Sequence, residues 1–156
     1  MRKIIAGLFL LFVLSCSKEN GSTPVPKISM TEAIDGKSWK VSSIILTSSD
    51  GAYLDIFNIN FQPCEKDDIL TFKSDGVFIK TDGAVVCNPP GNSVFNSLNG
   101  ADWSLETADS TLSVTQFFSK QVFKIKEWSS TNMTWTQSST NYVGFTETVT
   151  YKLVLP

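Results

Sequence analysis

Histidine is absent from the 156-residue chain, and this limits the chemistry that its side chains can do. Histidine is the commonest general base and the commonest metal ligand in proteins, so Ser-His-Asp and Cys-His catalytic groups and histidine-based zinc or iron sites are excluded. The only arginine is Arg2. The residues left to carry chemistry are three cysteines (Cys16, Cys64 and Cys87) and the carboxylates.

The carboxylates do not form a recognisable catalytic or metal-binding pattern. Glu65, Asp67 and Asp68 could offer oxygen ligands to Ca²⁺, but a calcium site needs six to eight ligands, and the spacing is not that of a calcium loop. A solvated turn in which Asp67 or Asp68 bonds nearby backbone amides explains them more simply. Glycosidases use paired carboxylates, yet nothing in the sequence selects a pair. We therefore expect no enzymatic activity, no metal and no cofactor.

The first cysteine follows an export signal. Arg2 and Lys3 precede the apolar run from Ile4 to Leu14, which has the short core of a secretory signal and is too short to span a bilayer. The run ends in Val13-Leu14-Ser15-Cys16, which resembles the lipobox of bacterial lipoproteins. The resemblance implies that Cys16 becomes the mature N-terminus and carries three acyl chains that hold it in a membrane. The alternative is a plain secretory signal with a coincidental cysteine.

The next segment predicts a tether to a folded domain. Residues 17–31 are rich in Ser, Thr, Pro, Gly and charge, without apolar periodicity. We divide the chain into a lipoprotein signal peptide (1–15), a lipidated cysteine with a flexible linker (16–31) and a folded domain (32–156). Lys18-Glu19 is either a solvated charge pair or similar to a signal that sends some Gram-negative lipoproteins to the outer membrane. We expect a lipid anchor in that membrane, on its periplasmic face or at the cell surface.

Composition predicts one globular domain that does not bind nucleic acid. Apolar residues make up 42% and charged residues 18% of the chain, as in ordinary single domains. Removal of residues 1–15 takes away two basic residues and leaves 11 basic against 15 acidic side chains, a net charge of about −4. Proteins that bind nucleic acid rely on arginine or dense lysine, and the lysines here are scattered.

Cys64 and Cys87 are predicted to form a disulfide. With Cys16 lipidated they are an even pair in an oxidising compartment. Between them, apolar runs flank Ser74-Asp75-Gly76, a strong hairpin signal. If Asp75-Gly76 is a two-residue turn, opposed residues have numbers that sum to 151, which also places the two cysteines opposite each other and within disulfide reach.

The same turn predicts which face of the hairpin points inward. In the two-residue register one face carries only apolar side chains: Leu70, Phe72, Val77 and Ile79. Lys73 and Lys80 then point outward, as unpaired lysines do. A three-residue loop would instead shift the sum to 150 and mix Lys80 into the apolar face.

The rest of the chain predicts short strands and no long helix. Residues 39–48 carry a run of β-branched side chains, and apolar and polar residues alternate in five further segments: 103–106, 112–115, 122–128, 133–136 and 143–155. About eight to ten strands separated by turn signals favour an antiparallel barrel or sandwich. Residues 31–34 fit one helical turn, and residues 53–63 fit either a strand or a long loop over the mouth of a barrel.

Three motifs resemble the lipocalin-like domains of bacterial envelope lipoproteins. They are Gly36-Lys37-Ser38-Trp39-Lys40-Val41, the run CEKDDILTF at residues 64–72, and Ser74-Asp75-Gly76-Val77-Phe78. The resemblance covers residues 34–156 and implies an all-β, antiparallel, up-and-down barrel of about eight strands that carries a ligand. Lipocalins have Gly-x-Trp on the first strand and an arginine over the indole, whereas the spacing here is one residue longer and the mature chain has no arginine.

Six aromatic residues would line the interior of such a barrel: Trp39, Phe72, Trp103, Phe123, Trp135 and Tyr151. An eight-stranded barrel either fills with side chains or holds one small ligand, and both interpretations stay open. We expect a non-enzymatic, membrane-anchored protein that binds a small hydrophobic or amphipathic molecule. The alternative is an interaction protein with a filled barrel whose loops contact an envelope protein or glycan. A connected cavity above about 300 Å³ would favour the first and a filled core the second.

Overall fold

The computed structural model describes residues 28–91 and 93–156, most of which lie in antiparallel strands. The elements are helix α1 (Met30–Ile34), β1 (Lys37–Ser48), β2 (Tyr53–Asp55), helix α2 (Ile56–Asn60), a 3-10 helix (Pro63–Glu65), β3 (Ile69–Phe72), β4 (Val77–Thr81), a second 3-10 helix (Val94–Leu98), β5 (Ala101–Glu106), β6 (Thr111–Gln116), β7 (Ser119–Trp128), β8 (Asn132–Thr140) and β9 (Thr146–Val154). The predicted signal peptide, Cys16 and linker residues 17–27 lie outside the described residues.

Strand β1 closes the sheet into a barrel. Its first residues, 37–40, pair with β3, and residues 40–48 pair with β9 on the opposite edge. Every other long strand pairs with its neighbour in the chain, in the order β3-β4-β5-β6-β7-β8-β9. The short strand β2 adds only to the end of β1, at residues 45–47. The predicted up-and-down antiparallel barrel of eight strands is confirmed.

The strand connections alternate between the two ends of the barrel. One end, called the base here, carries α1, the turns at 73–76, 107–110 and 129–131, and the last residues of the chain. The other end, called the mouth, carries residues 49–68, 82–91, 93–100, 117–118 and 141–145. The described chain therefore enters at the base, and its longest connections cover the mouth.

Helix α1 closes the base. Ser29 and Glu32 form a capping box, with Glu32 N donating to Ser29 Oγ at 3.2 Å and Ser29 N donating to Glu32 Oε2 at 2.7 Å. The helix buries Met30, Ala33 and Ile34, and the indole N–H of Trp39 donates to the carbonyl of Ala33 at 3.1 Å. The indole of Trp39 is thus covered by this helix. None of the described helices is long and apolar enough to cross a membrane.

The β3–β4 hairpin has the register of the three-residue loop. Thr71 pairs with Ile79 and Phe72 with Phe78, so opposed residues sum to 150 and the predicted two-residue register is wrong. Gly76 has φ +86°, and the amide of Lys73 donates to the carbonyl of Val77 at 2.9 Å. In a three-residue loop, glycine supplies the last loop residue, which has a positive φ. An Asp-Gly pair is therefore compatible with this loop as well as with a two-residue turn.

The change of register moves every side chain of β4 to the other face. Leu70 and Phe72 are fully buried as predicted, but Phe78 takes the inward position that was predicted for Val77 and Ile79. Lys80 also points inward, with 9% of its side chain exposed, and its ammonium lies 3.0 Å from Asp68 Oδ2. A buried lysine is tolerated here because it is paired.

The predicted disulfide between Cys64 and Cys87 is present, with the Cα atoms 5.3 Å apart. The strand-ladder argument for it fails, because β3 begins at Ile69 and β4 ends at Thr81. Cys64 lies in the first 3-10 helix and Cys87 in the β4–β5 connection. The bond therefore joins two segments of the mouth and not two strands of the barrel wall.

Candidate ligand site at the barrel mouth

The middle of the barrel is filled by the aromatic residues that were predicted to line it. Four rings pack together: Phe123 and Trp135 have centroids 5.0 Å apart, Phe72 lies 5.9 Å from Trp135, and Tyr151 lies 5.8 Å from Phe123. These four residues and Trp39 are each at most 5% exposed. The six predicted lining residues therefore do not surround an open cavity, and most of them form the core.

Trp103 lies at the edge of this aromatic cluster. It is half-buried on the inward face of β5, its ring is 5.6 Å from that of Phe72, and its indole N–H donates to the carbonyl of Lys73 at 2.9 Å. Lys73 begins the β3–β4 turn, so Trp103 closes the side of the barrel near its base. It has no contact with the mouth in this arrangement.

A cleft of about 510 Å³ opens at the mouth, beside the end of the aromatic core. It is lined by residues of β1, β9, α2 and the second 3-10 helix: Ile44, Ile56, Asn60, Phe61, Ser93, Val94 and Tyr151. Its volume lies in the range of about 300 to 1,000 Å³ that is usual for small-molecule sites. The walls are about equally apolar and polar, and none of these described lining residues is charged.

The floor of the cleft is formed by Tyr151. Its ring packs edge-on against Phe95 at 5.8 Å and against Phe123 at 5.8 Å. Burial raises the pKa of the Tyr151 phenol from 10.0 to about 12, so the hydroxyl is neutral in any physiological medium. A neutral hydroxyl can both donate and accept a hydrogen bond, which suits a polar group of an uncharged ligand.

One wall of the cleft is helix α2. Asp55 caps the helix by accepting a bond from the amide of Asn58 at 3.1 Å, as expected from a residue that favours this position. Phe57 is buried and its ring lies 5.6 Å from Phe61. Lys66 covers Phe57, with its ammonium 5.4 Å from the ring centroid. These contacts hold Phe61 at the edge of the cleft.

The opposite wall is held to the first by the CEKDD motif, residues 64–68. Besides the disulfide, the buried carboxylate of Glu65 accepts bonds from the amides of Gln62 at 2.9 Å and Ser93 at 2.8 Å. Asp67 accepts a bond from the amide of Val85 at 3.0 Å. Gly83 and Gly91 pass so close to these carboxylates that a Cβ atom at either position would overlap them. The motif therefore joins the two long connections that cover the mouth.

These contacts differ from the turn that the sequence predicted for the same carboxylates. The partner of Asp67 is 18 residues away, and one of the two partners of Glu65 is 28 residues away. Within residues 28–91 and 93–156, no group of three or more Cys, Asp or Glu residues is placed to hold a metal ion. The motif joins the two loops as a structural clamp.

Asp68 and Lys80 form a buried ion pair beneath the clamp. Burial raises the pKa of Asp68, against the opposing effect of Lys80. Burial tends to lower the pKa of Lys80, but its bonds to Asp82 and Asp68 outweigh this and raise it. The lysine therefore keeps its charge, and the two aspartates supply the counter-charge that a buried ammonium requires.

Sequence reasoning found only part of the mouth site. Tyr151 was among the predicted lining residues, and Phe61 lies in the stretch 53–63 that was predicted to be a strand or a loop over the mouth. Ile44, Ile56, Asn60, Ser93 and Val94 were not identified. Nothing in the sequence showed that Gly91 and Ser93 pack against Glu65.

No protein-family model matches the chain, and no curated protein is significantly similar to it. The site geometry is therefore the main guide to function.

Proposed function

We propose that the protein is a lipoprotein of the outer membrane whose barrel is a filled scaffold for a ligand cleft at its mouth. Because the core is filled, we place the proposed ligand site in the connections that cover the mouth and not in the interior of the barrel. The observation that carries the proposal is the cleft itself, about 510 Å³ in volume, which is lined by four apolar and three neutral polar residues. The ligand is a small amphipathic molecule that is not transformed.

The lining residues define the chemistry of this ligand. An ionic group would lose its hydration in the cleft without a charged partner, and this costs several kcal/mol. The ligand is therefore uncharged where it enters the cleft. An apolar part fits against Ile44, Phe61 and Val94, and a hydroxyl or amide group can pair with Asn60 or Tyr151.

The proposed anchor is consistent with an accessible mouth. The described chain starts at the base, where Trp128 Nε1 donates to the carbonyl of Ile28 at 2.9 Å. A lipid on Cys16 would therefore attach the domain through its base, at the end opposite the cleft. The attachment point therefore does not obstruct the cleft.

The test is native mass spectrometry of the protein extracted from its own cells. We expect a bound small molecule that is lost in Val94→Trp, because a larger side chain there fills the cleft. Val122→Trp is the matched control: Val122 is an exposed residue on the outer face of β7, and this variant should retain the molecule. In vitro, the uncharged fluorophore N-phenyl-1-naphthylamine should bind the wild type at least tenfold more tightly than Val94→Trp.

Two outcomes would contradict the proposal. One is the absence of any bound molecule together with no binding of the fluorophore by the wild type. The other is retention of the molecule by a correctly folded Val94→Trp variant, which would place the ligand elsewhere. Circular dichroism of both variants checks that the barrel is intact.

A further inference from the structure

Two hairpin tips at the mouth expose aromatic side chains. Phe117 and Phe118, between β6 and β7, are 91% and 107% exposed. In the β8–β9 connection, Tyr142 is 100% exposed and Phe145 52%. The rings of Phe117, Phe118 and Tyr142 pack against almost nothing in the described chain, so they add little to the stability of the fold, and Phe145 is about half exposed. Exposed apolar rings are unfavourable in water, so their presence at these tips requires an explanation other than the stability of the fold.

The backbone at Phe117 is unfavourable for this residue type. Gln116 pairs with Ser119, so Phe117 and Phe118 form a two-residue hairpin turn. Phe117 has φ +51°, a left-handed conformation that glycine or asparagine normally supplies in such turns. A bulky aromatic residue is strained there, and its ring gains no packing in return. A strained residue whose side chain projects into solvent points to a role outside the fold.

The two tips lie side by side on the rim. Strands β7 and β8 are neighbours in the barrel, and they carry the two tips at their mouth ends. Just below the tips, the side-chain Nε2 of Gln137 donates to Gln121 Oε1 at 2.6 Å and links the two hairpins. The rings therefore project from adjacent points of one rigid rim.

Charge differs between the two tips. Lys120 is the one charged residue within residues 115–121, so the first tip is locally basic, although the whole chain carries two more acidic than basic side chains. Residues 138–146 carry no charge, but Glu147 follows them and pairs with Ser139. The first tip is therefore the one that is complementary to an anionic surface.

We propose that these two tips dock onto an anionic lipid bilayer. Phe117, Phe118 and Tyr142 enter the interface between headgroups and acyl chains, where aromatic residues are enriched. Lys120 then lies at the level of the lipid phosphates, where cationic side chains are attracted to anionic headgroups. The convex tips favour a bilayer over a protein partner, because protein interfaces are broad patches with a packed core.

The test uses the mature polypeptide, residues 16–156, with Cys16→Ser so that no lipid anchor binds the vesicles. The strands that close the barrel all lie within residues 37–154, so this chain keeps the whole fold. In flotation with vesicles of phosphatidylethanolamine and phosphatidylglycerol at 3:1, we expect the protein to rise with the lipid. Replacement of phosphatidylglycerol by phosphatidylcholine should weaken partitioning severalfold.

The decisive variant is F117S/F118S, which should lower the partition coefficient at least tenfold. Phe118→Ser alone leaves the strained position unchanged and should lower it at least threefold, which guards against a folding defect in the double variant. Val122→Ser removes an exposed apolar residue from the outer wall of the barrel and should have no effect. Binding of N-phenyl-1-naphthylamine should be the same in all three, so this proposal and the proposed function can fail separately.

Three results would overturn the proposal. They are a native chain that does not float at millimolar lipid, a folded F117S/F118S variant that partitions like the wild type, and a photo-crosslinker at position 118 that captures a protein instead of lipid in whole cells. The last result would assign the tips to a protein interface.

Discussion

Phe72 is fully buried, and its ring lies 5.2 Å from Phe78 and 5.9 Å from Trp135. Because the interior is filled at this point, we expect Phe72→Ala to lower the free energy of unfolding by about 3 to 5 kcal/mol, through lost burial and a residual cavity. Urea unfolding measures this. Phe118→Ala, at a fully exposed ring, should change it by less than about 0.5 kcal/mol. A cost near 1 kcal/mol for Phe72→Ala would contradict a packed core.

Tyr151 makes stability depend on alkaline pH. Its pKa is raised to about 12 in the folded state, whereas the phenol of an unfolded chain ionises near pH 10. Between these values the unfolded state releases a proton that the folded state retains. Stability is therefore complete below about pH 10 and falls as the pH rises to about 12. At pH 11 the loss amounts to about 1 kcal/mol.

The variant Tyr151→Phe isolates this effect. It should lose about 1 kcal/mol less than the wild type when unfolding free energies are compared at pH 9 and pH 11. Tyr142→Phe, at a fully exposed ring, should behave as the wild type does. The raised pKa of Lys80 acts in the same pH range but is common to all three proteins, so it cancels in the comparison. Identical losses in Tyr151→Phe and the wild type would refute the assignment.

Individual inward residues were predictable where alternation alone decides the face. Trp39, Phe123 and Trp135 are buried for that reason. Val77 and Ile79 were assigned to the wrong face because one residue more in a turn reverses the alternation of the following strand. The sequence of that turn is compatible with both loop lengths, and the difference is decided by the burial of Phe78 and the pairing of Lys80 with Asp68.

At the level of elements, the disulfide holds the two long mouth connections together. Its residues are 23 apart, and closing a loop of this size stabilises a protein by roughly 3 kcal/mol on the chain-entropy model. We expect C64S/C87S to lose about this much in unfolding free energy. A reducing agent should lower the melting temperature of the wild type and leave that of C64S/C87S unchanged. Two alkylatable thiols in the oxidised, exported protein would contradict the bond.

The short helices of the mouth were less predictable than the strands. Helix α2 and the two 3-10 helices have five residues or fewer, too few for a periodic signal. Their positions depend on contacts between distant segments, such as Glu65 with the amide of Ser93. Such tertiary contacts have no local sequence pattern, so the cleft they enclose could not be derived from the sequence.

At the scale of the whole molecule, the fold class was predictable because each barrel strand pairs with its neighbour in the chain. Turn signals and period-two alternation are local, and an up-and-down barrel needs little else. Closure depends on β1, which is long enough to pair with β3 at its start and with β9 along the rest. The filled interior was not predictable, because aromatic residues serve equally well as core and as cavity lining.

The N-terminal anchor is also a prediction at this scale. We expect the mature protein to begin at Cys16 and to carry a diacylglyceryl thioether, because the Val13-Leu14-Ser15-Cys16 motif follows a short apolar run. Mass spectrometry of the N-terminal peptide from membranes checks this. The Cys16→Ser variant should lack the modification. An unmodified Cys16, or a mature N-terminus at another residue, would contradict the lipid anchor.

The attachment of the chain at the base has a mechanical consequence. Any tension between a membrane anchor and a load on the mouth reaches helix α1 first, since it stands between the N-terminal segment and β1. This five-residue helix is held by a few side chains, whereas β1 pairs with β3 over residues 37–40 and with β9 over residues 40–48. We therefore expect helix α1 to detach from the base before the barrel strands separate. Its detachment would uncover Trp39 while the strands stay paired.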